Sequence, residues 1–130
     1  MRYLFILLFC LPLLGWSQTE TLTIEFRDLE STDGNLMFRI SNAAGDTIKE
    51  KLLPIKSLKQ NYKINLKPGR YAVAVYHDEN SNRKLDRAFT GIPTEEYGFS
   101  NDARGLISAP DLKDQLFKHQ KNTLIRIHLK

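Results

Sequence analysis

The chain has 130 residues, 42% of them hydrophobic, with 19 basic and 15 acidic side chains and a formal charge of +4. That length is enough for one hydrophobic core, and so small and dispersed a charge argues against nucleic acid as a partner. The single cysteine, Cys10, and the single tryptophan, Trp16, both fall in the first seventeen residues, so the rest of the chain has no thiol for catalysis, for a metal or for a disulfide.

The sequence opens with "MRYLFILLFCLPLLGWS". Arg2 precedes an apolar run from Tyr3 to Leu14, and Gly15 and Ser17 stand at the small-residue positions that a signal peptidase reads. The run is shorter than the roughly 20 residues of a membrane span. Residues 1–17 are therefore expected to be a secretory signal cleaved after Ser17. Residues 18–130 are expected to form a single β-sandwich domain, exported to the periplasm or secreted. Lipoprotein anchoring at Cys10 is disfavoured, because Phe9 rather than a small residue precedes it. No later run reaches spanning length, so no transmembrane segment is expected after cleavage.

Period-two alternation dominates the remainder. Leu22, Ile24 and Phe26 alternate with polar residues, "STDGN" reads as a turn, and Leu36, Phe38 and Ile40 form the next inward set. "TIKEKLLPI" predicts an edge strand, because Pro54 cannot donate to a ladder. Tyr62, Ile64 and Leu66 share one face, and "KPG" turns the chain. "RYAVAVYH" is apolar on both faces and predicts a central strand. "SAPDLKDQ" suggests one helical turn, with Ser108 or Ala109 as cap and Pro110 in the first turn. "QLFKH" suggests a short strand, and Ile125, Ile127 and Leu129 close the fold. The fold class predicted is all-β, a sandwich of about seven strands with one short helical turn.

The stretch "YHDENSNRKLD" follows the central strand. Asp78, Asn80, Asn82, the Lys84 carbonyl and Asp86 occupy positions 1, 3, 5, 7 and 9 of a calcium loop, where alternate residues converge on a hard cation. Two positions depart from that pattern. Arg83 stands at position 6, where the turn favours glycine, and Phe89 stands at position 12, in place of a bidentate glutamate. Arg83, Lys84 and Arg87 also balance Asp78, Glu79 and Asp86. A loop held by Asn and Asp hydrogen bonds to its own backbone is the preferred expectation, with calcium binding as the alternative.

At "PGRYAVAVYHDENSNRKLD" and "GIPTEEYGFSNDARG" the chain resembles the domain-of-unknown-function family 2141, small exported bacterial proteins. The likeness extends to "LTIEFRDL" and to the short C-terminal strand. It implies an immunoglobulin- or transthyretin-like sandwich and no established activity. Family members commonly carry glycine at the position of Arg83.

Other candidate residues form a possible ligand loop: His77, Tyr97, Phe99, Asn101 and Arg104. Tyr97 and Phe99 are expected to plug the end of the sandwich rather than to line a groove, although loops at a sandwich end are where binding sites are grafted. Arg104 has Asp86 and Asp102 as candidate partners. A metal or catalytic role for His77 needs a partner such as Glu96 or His128, and the sequence alone gives no reason to bring them together. His77, His119 and His128 are expected to bond to nearby backbone. No hydrolase, phosphate-cradling or dinucleotide signature is present, and a Ser100, His77, Asp102 set has nothing to mark it above chance. The function expected is a non-catalytic binding or envelope-associated module, partnered by another envelope or extracellular component and without a cofactor unless calcium. A small metal-dependent or hydrolytic enzyme using the His77 loop is a further alternative.

Overall fold

A computed structural model describes residues 18–106 and 108–130. The expected signal segment and Cys10 lie outside the described residues. The first five strands are β1 (Glu20–Arg27), β2 (Asn35–Asn42), β3 (Thr47–Pro54), β4 (Gln60–Leu66) and β5 (Gly69–Asp78). Three shorter ones follow: β6 (Tyr97–Phe99), β7 (Phe117–His119) and β8 (Thr123–His128).

Alternation determines which side chains turn inward. Leu22, Ile24 and Phe26 on β1 are fully buried, as are Leu36 and Ile40 on β2. β1 lies at the centre of a three-stranded sheet, antiparallel to β4 and parallel to β8. The second sheet has five strands in the order β3-β2-β5-β6, with β7 also on β5. Phe38 joins the two layers, its ring 5.3 Å from Phe26 and 4.9 Å from Tyr62. Each such side chain, taken from water, contributes about 1.5–3 kcal/mol. The result is an all-β sandwich, with eight strands where about seven were expected.

β3 pairs with β2 and is exposed over most of its length, as an edge strand should be. β5 is central: Val73 and Val75 are buried against β1 and its neighbours. Its second edge is shared by β6, opposite Ala74–Tyr76, and β7, opposite Gly69–Tyr71. Between them the Val73 N–H donates to Ser100 Oγ at 2.9 Å, and Ser100 Oγ donates to the Gln115 carbonyl at 2.6 Å. A side chain thus stands where a ladder partner is missing. The helical turn, α1 (Leu112–Gln115), has Asp111 at its N-cap position rather than Ser108 or Ala109, with no side-chain capping bond; Pro110 precedes that position instead of sitting in the first turn. No helix among the described residues is long and apolar enough to cross a membrane.

Gly34 fixes the turn between β1 and β2. Its φ is +69°, and a Cβ there would overlap the Asp78 carbonyl oxygen. This close approach brings residues 30–34 against the end of β5, where the candidate site lies.

Candidate functional site

Successive β5 side chains point to opposite faces. Val73, Val75 and His77 face the core, while Tyr76 and Asp78 face outward, so the strand end carries different chemistry on its two sides.

On the outer side, Asp78 is fully buried by the loop that follows it. Its Oδ1 accepts the Asn82 N–H at 3.1 Å and its Oδ2 the Arg83 N–H at 2.7 Å. Asn80 Oδ1 accepts the Asn82 N–H at 3.2 Å, and Asn82 Oδ1 accepts the Lys84 N–H at 2.9 Å. Both Asn amides donate to Asp86, at 2.6 and 2.7 Å. The loop is therefore coiled by hydrogen bonds to its own backbone, and Arg83 takes the left-handed conformation, φ 60°, that the sequence reading identified as glycine-favouring. Such a φ is strained for a side chain other than Gly, Asn or Asp.

Glu95 completes this side. Residues 86–94 double back, with Thr94 N–H donating to the Asp86 carbonyl at 2.8 Å and Ala88 N–H to Ile92 at 2.8 Å. That return delivers the buried Glu95, whose Oε1 accepts the Glu79 N–H at 3.2 Å and whose Oε2 accepts the Asp86 N–H at 3.1 Å. Burial raises the Glu95 carboxyl above the ordinary glutamate range, and the Asp86 and Asp78 charges add to this against the two N–H donors. The Asn82 and Asn80 amides, and further the Glu95 carboxyl, hold Asp86 below the ordinary range. Phe89, at position 12 of the loop, is fully exposed at the tip of the return.

On the inner side, His77 is fully buried. Its Nε2 lies 2.6 Å from the Asp33 carbonyl, and its Nδ1 lies 3.1 Å from Glu96 Oε2 and 3.7 Å from Glu79 Oε1. Glu96 in turn accepts the Glu30 N–H at 3.1 and 3.3 Å. Burial alone would depress the imidazole, but the Asp33 carbonyl and the Glu96 and Glu79 carboxylates outweigh it and raise His77 above the ordinary histidine range. The expectation of bonding to nearby backbone is corrected: the carbonyl it meets is far away in sequence, and Glu96 is its side-chain partner.

The possible ligand loop separates into three places. Tyr97 and Phe99 do not plug the sandwich. Gly98 between them faces inward, where a Cβ would come within 2.7 Å of Ile127 Cγ2, and the two rings line an outer groove of about 400 Å³ with Met37, Tyr76, Arg83 and Leu85. Burial and then the negative charges of Asp78, Glu95 and Asp86 raise the Tyr76 hydroxyl, so the acidic loop is felt in this groove. Arg104 stacks 4.9 Å from the Tyr97 ring centroid and donates to the Tyr97 and His128 carbonyls, rather than bonding to Asp86 or Asp102. Asn101 donates to the carbonyls of Asp114 and Leu116.

The remaining candidates are spread through the fold. His119 bonds to Thr123 Oγ1 and to the carbonyls of Glu20 and Leu66, tying the far ends of the sheets together. His128 Nδ1 lies 2.8 Å from Asp102 Oδ2. Burial opposes ionisation of Asp102, but the His128 N–H and ring hold its carboxyl below the ordinary range. Ser100 is spent on Val73 and Gln115, so Ser100, His77 and Asp102 do not converge. Glu95 was not among the sequence-derived candidates; the available signal was the acidic pair in "PTEEY", set between Pro93 and Tyr97.

Residues 24–126 match the profile of a family described as "Uncharacterized protein conserved in bacteria (DUF2141)". The chain belongs to this family. The DUF2141 match takes in the loop, its return, Glu95, Glu96 and His77, so the whole candidate site is family territory. No curated protein matches the chain.

Proposed function

We propose that this protein is an exported, non-catalytic binding module of the bacterial envelope or exterior, and that the Asp78–Asp86 loop, closed by Glu95, binds calcium. The observation that carries the proposal is Glu95. Its carboxylate bonds to the Glu79 and Asp86 amides at the two ends of the loop, so the returning segment supplies an acid next to a loop whose position 12 is Phe89. Burial raises the Glu95 carboxyl, with the Asp86 and Asp78 charges adding to it, and the Asn82 and Asn80 amides hold Asp86 low. The donor set consists of oxygens alone, which suits calcium. Asn80 and Asn82 Oδ1 each retain a lone pair after accepting one N–H, and the Lys84 carbonyl stands at position 7.

Export and weak calcium affinity agree with each other. Extracellular calcium modules work at dissociation constants of about 10⁻⁴–10⁻³ M, and the strained Arg83 φ and the neighbouring cations are grounds for expecting weak binding here. The exposed Phe89 and Ile92 at the tip of the return, beside Arg87, suit contact with an envelope component. Arg83 and Leu85 belong to both the loop and the groove, so ordering the loop also shapes the groove. The test is a calcium titration of thermal stability, with Glu95→Gln as the variant that removes the response. Terminal sequencing of exported protein tests the processing, with Gln18 as the expected first residue.

A further inference from the structure

The inner side of the β5 end holds a second cluster that calcium binding does not use. With the Nε2 proton of His77 directed at the Asp33 carbonyl, Nδ1 faces two carboxylates, Glu96 at 3.1 Å and Glu79 at 3.7 Å. A lone pair aimed at carboxylate oxygens is repelled unless a cation stands between them, either a proton or a metal. One donor atom from each of the three residues lies within 4.8 Å of the others.

The geometry points to a zinc site formed by His77 Nδ1, Glu96 and Glu79. Zinc bonds to nitrogen and oxygen are about 2.0–2.1 Å long, so separations of 3.1 and 3.7 Å subtend roughly 98° and 129° at the metal. These two angles bracket the tetrahedral value. The outer partners are in place as well. Metal-bound histidine usually donates its other N–H to a carbonyl or carboxylate, which here is the Asp33 carbonyl, and the Glu30 N–H fixes Glu96. His77 and Glu96 are buried, whereas Glu79 is half-exposed and gives the ion a way in. Three protein ligands leave a fourth position for water. One imidazole with two carboxylates is a mixed nitrogen and oxygen set that suits zinc, unlike the oxygen-only loop on the opposite face. Zinc displaces the Nδ1 proton to solvent, so charge and atoms balance.

The test uses the full chain, melted in chelator and across a titration of zinc chloride. Zinc is expected to raise the melting temperature of wild type. Glu79→Gln should fold, because the His77 bonds to Glu96 and Asp33 remain, yet need more than about tenfold more zinc for the same rise. Asp86→Asn should leave the zinc midpoint where it is, which separates this site from the calcium loop. His128→Gln should also leave it unchanged, since His128 and Asp102 lie on another surface. Cobalt chloride should give a visible absorption band in wild type that weakens in Glu79→Gln. No rise at millimolar zinc, a rise undiminished in Glu79→Gln, or one removed by His128→Gln would overturn the assignment.

Discussion

Glu95 and Asp86 meet at the mouth of the loop: the Glu95 carboxylate accepts the Asp86 amide N–H at 3.1 Å. The same carboxylate accepts the Glu79 N–H, so it clamps both ends of residues 79–86. Without a cation the clamp is a hydrogen-bonded clasp of the backbone. On the proposed calcium reading, the same carboxylate serves as a ligand when a cation binds.

Val75 faces the core from the central strand and is 3% exposed. Val75→Ala should lower stability by about 1–3 kcal/mol, through lost burial and an imperfectly closed cavity. Urea denaturation should show an earlier midpoint with an unchanged slope. An unchanged midpoint would mean that the residue is not in the core.

Gly34 lets the β1–β2 turn lie against the end of β5. Gly34→Ala should cost more than about 3 kcal/mol, because both the positive φ and the overlap with the Asp78 carbonyl penalise a Cβ. The substitution should also loosen the Asp33 contact to His77. Circular-dichroism melts of the variant, read beside those of Val75→Ala, check the size of the effect. A loss below that of Val75→Ala would contradict the close approach.

His77 also makes stability depend on pH. Its folded-state pKa is raised by Asp33, Glu96 and Glu79 in spite of burial. A raised pKa adds stability that is complete below the unfolded value, about 6.5, and is lost as pH rises through the folded value. In chelator, wild type should therefore lose stability relative to Glu96→Gln as pH is taken upward from about 6. Paired denaturant midpoints at several pH values measure this difference. A gap between the two proteins that stays constant across that range would show that the imidazolium is not held by Glu96.

Much of this architecture is legible in the sequence because alternation is a local signal. Leu22, Ile24 and Phe26, or Val73 and Val75, declare their faces without any knowledge of their partners. The loop is legible for the same reason, since Asp78, Asn80, Asn82 and Asp86 are spaced along one short stretch. Glu95 and Glu96 are not. Their contacts to Asp86, Glu79 and His77 depend on the return of residues 86–94, whose Gly91 and Pro93 read only as a generic turn. The direction of Tyr97 and Phe99 was equally hidden. It depends on Gly98 facing Ile127, a matter of strand register that nothing in "EYGFS" specifies. Nothing in the sequence marks Ser100, yet the gap between β6 and β7 makes it a substitute for a ladder partner.

The most direct test of the central proposal is a thermal melt of wild type and Glu95→Gln, in chelator and at increasing calcium. Binding to the folded state alone stabilises by mass action: ten times the dissociation constant is worth about 1.4 kcal/mol, or roughly 6 °C for a domain of this size. Wild type is predicted to rise by that order at about 10 mM calcium, Arg83→Gly to rise at lower calcium, and Glu95→Gln to stay flat. A wild-type melting temperature indifferent to calcium, or a rise that Glu95→Gln leaves intact, would contradict the account.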